Sequence, residues 1–259
     1  MKKIIAMLLV LVMAASLVAC GGSKAPETTA APVETAAPET TAAPETEATE
    51  AAVEEVAVMT YEEYLAAELN DEVVIETNVQ ATQSWWDNKI TVYCQDEEGG
   101  AYFLYELACS EEDAANLVPG TRIRVTGYKG EWAGEVEIMD GTFEFVEGAD
   151  MTYVGAVDYT ELLGTEELIK HQNELAAFFG LTVEAIEYKN GEPGDDIYVT
   201  LGYNGESFNF CVERYLTGPE TEVYTAVGEL VVGDVVNVEG YLYWYEGPNP
   251  HITSIQIAE

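Results

Sequence analysis

The sequence has few cations and almost no histidine. Ten Lys and Arg residues stand against 48 Asp and Glu, and the 259 residues include two histidines. Binding to a nucleic-acid backbone depends on Lys and Arg that displace counterions from phosphates, so this composition disfavours nucleic acid as a partner. No Gly-x-Ser-x-Gly, His-Glu-x-x-His or P-loop motif occurs in the sequence. We therefore expect a protein that is not an enzyme, with no catalytic residues and no cofactor.

Cysteine is scarce as well. Three of the four cysteines are widely spaced along the chain: Cys94, Cys109 and Cys211. An odd number without a Cys-x-x-Cys pair indicates neither a disulfide framework nor a zinc site, so we expect small buried apolar side chains. The acidic runs at residues 96–98 and 195–196 do not match the spacing of a calcium loop. Solvated turns and no metal site are the better interpretation, with calcium as the alternative.

No apolar run is long enough to span a bilayer, and the run at the N-terminus has the layout of a secretory signal. Lys2 and Lys3 precede an apolar stretch at residues 4–13, and small residues lead into Leu17-Val-Ala-Cys20. This ending resembles the lipobox of bacterial lipoproteins. The resemblance implies an extracellular protein at the cell surface, anchored to the outer face of the bacterial membrane through a lipid on Cys20. An ordinary cleaved signal with an incidental cysteine is the alternative.

The segment after the signal is a low-complexity repeat. Between Ala25 and Ala48, proline returns every sixth residue in units such as Ala-Pro-Glu-Thr-Thr-Ala. Such a segment has almost nothing to bury and cannot offset the entropy of folding, so we predict a disordered stalk. The predicted organisation is a signal peptide at residues 1–19, a lipidated cysteine and stalk at residues 20–58, and a globular region beyond.

The globular region is an internal duplication. Phe103 aligns with Phe210, and Glu106 with Glu213, at one constant spacing. After a short insertion Tyr128 aligns with Tyr241, and Trp132 with Tyr245. We therefore predict two modules, at residues 59–148 and 149–259.

Each module has the pattern of three strands, a helix and two more strands. The strands of the first are predicted at residues 73–82, 89–94, 102–108, 122–128 and 135–139. Those of the second are predicted at residues 181–188, 196–201, 207–215, 235–242 and 251–257. Helices are predicted from Ser110 to about residue 119, at residues 220–231, and at residues 61–69. A longer amphipathic helix, capped by Thr165 and ended by Gly180, is predicted before the second module.

This order of elements is that of the OB-fold, a five-stranded, partly open barrel. The stretch 120–138, with Val-x-Gly, a short loop, Ala-Gly and an apolar strand, resembles bacterial OB-fold domains. The predicted fold class is mainly β with a few helices, in two tandem OB-fold-like five-stranded barrels after a disordered linker. Another small β-barrel or sandwich is the alternative.

The loops that OB-folds use for ligands are aromatic in both modules. Ligands generally bind at strands 2 and 3 and at the loops joining strands 1–2 and 4–5. The predicted ligand-binding residues are Trp85, Trp86 and Trp132 in the first module, and Tyr241, Tyr243, Trp244 and Tyr245 in the second. We expect the three tryptophans of the first module to share one mouth. The alternative is that these rings pack at barrel ends or between the modules.

Arg122, Arg124 and Lys129 form a local cluster of cations. We predict that the arginines pair across a hairpin with Glu135 and Glu137 rather than contacting nucleic acid.

The function expected from the sequence is a lipid-anchored surface protein with non-catalytic modules that bind a glycan, a peptide or a cell-wall component. The alternative is a structural or accessory envelope protein that packs against a partner protein. A nucleic-acid-binding OB-fold protein is a third, disfavoured reading. The expected partners are the membrane, through the lipid on Cys20, and an unidentified glycan, peptide or envelope protein.

Overall fold

The computed structural model describes residues 57–258, so the predicted signal peptide, Cys20 and nearly all of the predicted stalk lie outside the described residues. The first barrel follows helix α1, Tyr61–Ala66. Its strands are β1 Glu72–Thr82, β2 Lys89–Gln95, β3 Ala101–Ala108, β4 Arg122–Trp132 and β5 Glu135–Phe145, with helix α2 at Glu111–Ala114. The strands close in the order β1-β2-β3-β5-β4 because β1 also pairs with β4. That order, with a helix between the third and fourth strands, is the OB-fold.

The second barrel repeats this arrangement. Its strands are β7 Leu175–Tyr188, β8 Ile197–Tyr203, β9 Glu206–Val212, β10 Val235–Tyr241 and β11 His251–Ile257, with helix α3 at Glu222–Glu229. The order is β10-β11-β9-β8-β7, and pairing of β10 with β7 closes it. A two-residue strand, β6 Val157–Asp158, extends the sheet at β7. The predicted class, mainly β with two five-stranded OB-like barrels, is confirmed.

The predicted long helix before the second module is wrong. Two short 3-10 turns, Thr160–Leu162 and Leu168–His171, occupy its first half, and β7 occupies the rest. Phe178 packs in the core of its own barrel, whereas Leu175 packs against the first barrel. Because both faces of the strand are buried at its first four residues, Leu175 to Phe178, that part of the sequence lacks the alternation of a half-exposed strand. Gly180, with φ +68°, lies inside the strand at a register shift and does not end a helix.

The two barrels pack against each other through a small aromatic cluster and a set of hydrogen bonds. Tyr93 of the first barrel stacks on Tyr241 of the second at 4.4 Å between ring centroids. The side chain of Gln172 accepts a hydrogen bond from Val136 N–H at 3.1 Å and donates one to the carbonyl of Gly134 at 2.8 Å. Side-chain to backbone bonds of this kind set the relative position of the two barrels.

Cys94, Cys109 and Cys211 are buried free thiols, as predicted. Between residues 57 and 258, no helix is both long and apolar enough to cross a bilayer.

Candidate functional site: the intermodule groove

The three tryptophans of the first module lie in different surroundings. Trp85 packs against the core of the first barrel, where its indole N–H donates to the carbonyl of Cys109 at 2.9 Å. Trp86 is 55% exposed and lines a cleft of about 230 Å³ together with Tyr215. Trp132 is 56% exposed at the end of β4 and lines other cavities. Within the described part of the chain, no ring contact joins Trp132 to either of the other two.

The aromatic residues of the second module also lie in different surroundings, two of them packed and two lining a cavity. Tyr241 is buried at the interface with the first barrel, and Trp244 packs against the core of the second. Tyr243 stacks on His251 at 4.3 Å, and Tyr245 contacts Trp132 at 5.2 Å between ring centroids. The structure therefore brings Trp132, Tyr243 and Tyr245 together across the two modules.

These three rings border a groove between the barrels, which we call the intermodule groove. Its inner part is a cavity of about 400 Å³ lined by Gln83, Phe103, Tyr105, Trp132, Glu137, Met139, Glu213, Tyr243 and His251. A more open cavity of about 710 Å³ shares Trp132, Glu213, Tyr243 and His251 with it and adds residues that include Tyr198 and Tyr245.

The first barrel supplies its wall of the groove from the outer face of β3 and β5. These strands are parallel neighbours in which Phe103 is paired with Glu137 and Leu104 with Ile138. Successive side chains point to opposite faces of a strand, so Leu104 and Ile138 fill the barrel core, while Phe103 and Glu137 face the groove.

Glu137 is the most unusual residue of this wall. Its residue surface is 5% exposed, and its carboxylate forms no hydrogen bond or ion pair with any residue that the structure describes. Removal from water disfavours the charged form, and this burial raises the pKa of Glu137 to about 7.

A second carboxyl, that of Glu213, enters the groove from the other module. Its Oε2 accepts hydrogen bonds from the backbone N–H groups of Tyr215 and Leu216, at 3.1 and 2.9 Å. Desolvation outweighs these bonds and raises the pKa of Glu213 to about 7. The inner cavity is therefore lined by two carboxyl groups, one from each module.

No free positive charge balances these acids. His251 is buried, and desolvation lowers its pKa to about 3, so its ring is neutral at pH 7. The Tyr93 hydroxyl lies 2.6 Å from Nδ1 of His251. Lys189 is the one Lys or Arg among the described residues that line the two cavities, and its Nζ lies 2.8 Å from Asp196 Oδ2.

The predicted pairing of Arg122 and Arg124 with Glu135 and Glu137 is wrong. Both arginines pair instead with Glu76 on β1, at 3.4 and 2.8 Å. Strands β4 and β5 are longer than predicted and turn at Ala133-Gly134, which places Glu135 opposite Trp132 and Glu137 opposite Gly130.

Glu135 is buried in the interface between the modules. Its Oε2 accepts the N–H of Trp244 at 2.7 Å, and Oε1 has no partner in the described structure. Burial holds the pKa of this carboxyl well above its usual range, because removal from water disfavours the charged form.

Residues 57–258 contain no cluster of three or more His, Cys, Asp or Glu side chains arranged to hold a metal ion. Asp195 and Asp196, one of the acidic runs, are engaged with Lys189. The sequence analysis missed several groove residues: Phe103, Tyr105, Glu137, Glu213 and His251. The repeat alignment singled out Phe103 and Glu213, and the cation cluster singled out Glu137, but neither signal pointed to a groove.

Among known proteins, only solved structures show a similarity to this chain. No protein-family description and no curated protein matches this sequence. The chain is similar to the second OB-fold domain of replication protein A from Methanococcus maripaludis, with 21% identity over 34% of this chain and 87% of that one and a TM-score of 0.25. It is also similar to the Ifi202 HINa domain in complex with 20 bp dsDNA, with 12% identity over 73% and 97% of the two chains and a TM-score of 0.33. A third is a replication protein A heterotrimer bound to ssDNA, with 13% identity over 73% and 49% and a TM-score of 0.31.

These similarities contradict two predictions from the sequence. Structures solved with double- and single-stranded DNA conflict with the prediction that nucleic acid is disfavoured as a partner. The three are described as an OB-fold domain of replication protein A and two structures with bound DNA, and none is described as a surface lipoprotein or a glycan- or peptide-binding module. The predicted function and the prediction that nucleic acid is no partner are therefore wrong as stated. The lipid anchor at Cys20 lies outside the described residues and stays a prediction. At such low TM-scores, the neighbours supply no ligand for this chain in their place.

Proposed function

We propose that the chain is a non-enzymatic binding protein for a small organic cation, held in the intermodule groove with Glu137 as its counter-charge. The observation that carries this proposal is the burial of the Glu137 carboxyl without a partner. A buried carboxylate is strongly destabilising unless it is paired or hydrogen-bonded. Among the described residues the fold supplies no cation for Glu137, and a ligand with an ammonium group would complete the pair.

The walls of the groove suit the same chemistry. The rings of Phe103, Tyr105, Trp132 and Tyr243 line the inner cavity beside Glu137. A cation over an aromatic face is attracted to it, by about 0.5–1 kcal/mol at exposed sites and about 2 kcal/mol when desolvated. Aromatic faces also accept the methyl or methylene groups that surround an organic ammonium, whereas a hydrated metal ion would lose its water without gaining ligands.

The test compares two probes of the same shape and different charge. Choline and 3,3-dimethylbutan-1-ol differ only in the quaternary nitrogen, which is carbon in the alcohol. With the full chain in isothermal titration calorimetry, we expect choline to bind at least tenfold more tightly than the alcohol. Glu137→Gln should remove that preference, because the amide has the same size and no charge. Glu131→Gln, which neutralises an exposed carboxylate on the same hairpin, should leave choline binding unchanged.

Two results would overturn the proposal. One is equal affinity for choline and the neutral alcohol, which would show that charge plays no part. The other is displacement of choline by a single-stranded oligonucleotide, which would assign the groove to nucleic acid instead.

A further inference from the structure

The second carboxyl of the groove has no role in binding a single ammonium group to Glu137. Glu213 lines the same inner cavity as Glu137 but belongs to the other module, directly after β9. The Lys189 ammonium at the outer end of the groove is held by Asp195 and Asp196, at 3.7 and 2.8 Å. Glu213 thus faces the cavity without an ion pair among the residues that the structure describes.

We infer that the occupant of the groove is a dication, a linear molecule with an amine at each end, in which one ammonium pairs with Glu137 and the other with Glu213. This inference rests on the proposed function and narrows it from organic cations in general to α,ω-diamines.

The positions of the two carboxyls support a ligand with charged ends and an apolar centre. Glu137 projects from β5 of the first barrel, and Glu213 is fixed in place by the N–H groups of Tyr215 and Leu216. Apolar side chains line the cavity together with the two carboxyls, and they include Phe103 and Met139 from the first barrel and Tyr243 from the second. A chain of methylene groups would pack against these side chains while its ends reach the two acids.

Protonation gives an independent measure of how many carboxyls the ligand meets. The pKa values of Glu137 and Glu213 are both raised to about 7, so each carboxyl is partly protonated at pH 7. An ammonium group favours the ionised carboxylate and expels the bound proton. A diamine that pairs with both carboxyls should therefore release more protons on binding than a monoamine that pairs with one.

Other ionisable groups also lie near this pair. His251 is neutral, and burial raises the pKa values of Tyr105 and Tyr243. Burial likewise raises the pKa of Glu135, which precedes Glu137 on β5 and is buried in the interface, well above its usual range. Asp196 and Lys189, which face Glu213 from the second barrel, already pair with each other.

The experiment titrates the full chain with 1,3-diaminopropane, 1,4-diaminobutane, 1,5-diaminopentane and 1,6-diaminohexane, and with n-alkylamines of equal length. We expect one diamine length to bind at least tenfold more tightly than its matching monoamine. Titration in two buffers of different ionisation enthalpy should show more protons released for that diamine than for the monoamine. Glu213→Gln should remove the advantage of the diamine and leave the monoamine affinity unchanged, whereas Glu137→Gln should weaken both ligands. Glu220→Gln, an exposed acid that follows Glu213, is the matched control.

Three outcomes separate this inference from the proposed function. If monoamines bind and no diamine binds more tightly, the inference of a diamine ligand is wrong and the proposed binding of organic cations is retained. If Glu213→Gln weakens both ligands equally, Glu213 does not hold the second ammonium, and the inference falls. If neither class binds, the proposed function itself is refuted. The proton count uses the unmodified protein, so it decides the question even where a variant fails to fold.

Discussion

Replacing Glu137 by glutamine should stabilise the protein at pH 8 and have a much smaller effect on its stability at pH 5. The pKa of this carboxyl is raised from 4.5 to about 7, while in the unfolded chain it ionises near 4.5. Between these values the folded state binds more protons than the unfolded state, so stability falls as the pH rises. Above about pH 7 the full penalty applies, because the folded protein must hold a buried carboxylate. Glutamine carries no charge, so the variant does not pay the free-energy penalty of a buried carboxylate.

The size of the effect follows from the shift. A difference of about 2.5 pKa units corresponds to roughly 3 kcal/mol at about 1.4 kcal/mol per unit. Solvent reaches one edge of the groove, so we expect about 1–3 kcal/mol of added stability for the variant at pH 8. Urea denaturation of wild type and variant at both pH values measures this difference in the free energy of unfolding. Groups that titrate in both proteins contribute equally to each and do not affect the difference.

Glu131→Gln is the matched control, since its carboxylate is exposed and should give no pH-dependent difference. The reasoning would be refuted by a Glu137→Gln variant whose stability relative to wild type is the same at pH 5 and pH 8. It would also be refuted by a variant that is less stable than wild type at pH 8. Either result would mean that Glu137 has a partner that offsets its burial.

Three further predictions concern the barrels and the N-terminus. Gly127→Ala should destabilise the protein by about 1–3 kcal/mol in urea denaturation, because the new Cβ would lie 2.9 Å from a backbone carbonyl oxygen. Gly130→Ala should have a smaller effect, because its nearest neighbour is the flexible end of a methionine. Glu76→Ala should lower the urea midpoint by an amount equivalent to about 1–2 kcal/mol, since both arginines on β4 would lose this partner. The lipobox stays a prediction: Cys20→Ala should abolish labelling by radioactive palmitate in the producing cell, and labelling that persists would contradict it.

Much of the fold follows from sequence pattern, and the elements that were predicted wrongly share one physical cause, the packing of the two modules. Strands with one exposed face, such as β4 and β8, alternate along the sequence and were predicted within a few residues. The first four residues of β7 are buried on both faces, one of them against the other barrel, so their pattern could not be read from one module alone. Gln172, which falls within the range of the predicted helix, is a hydrogen-bonding residue of the interface.

Part of the groove was predictable as well, because some of its residues carry a local sequence signal and others depend on how the two modules pack. Trp132, Tyr243 and Tyr245 were predicted, because exposed aromatic residues in binding loops are a local signal. Glu137 was assigned to the arginines because the hairpin was placed too early. The Ala133-Gly134 pair, with both φ angles positive, marks the true turn and was present in the sequence. Which face of β5 meets the second barrel depends on the packing of two modules, and no local pattern encodes it.

The contact between the barrels also bears on how the groove arose. Trp132 and Tyr245 occupy equivalent positions in the two copies and touch each other. The remaining contacts are not reciprocal: Tyr241 is buried against Tyr93, whereas its counterpart Tyr128 is 44% exposed. A two-fold symmetric dimer would repeat every contact, so the fused pair does not preserve the interface of such a dimer. Each copy alone carries one wall of the groove, and duplication therefore created a cavity that no single ancestral barrel possessed.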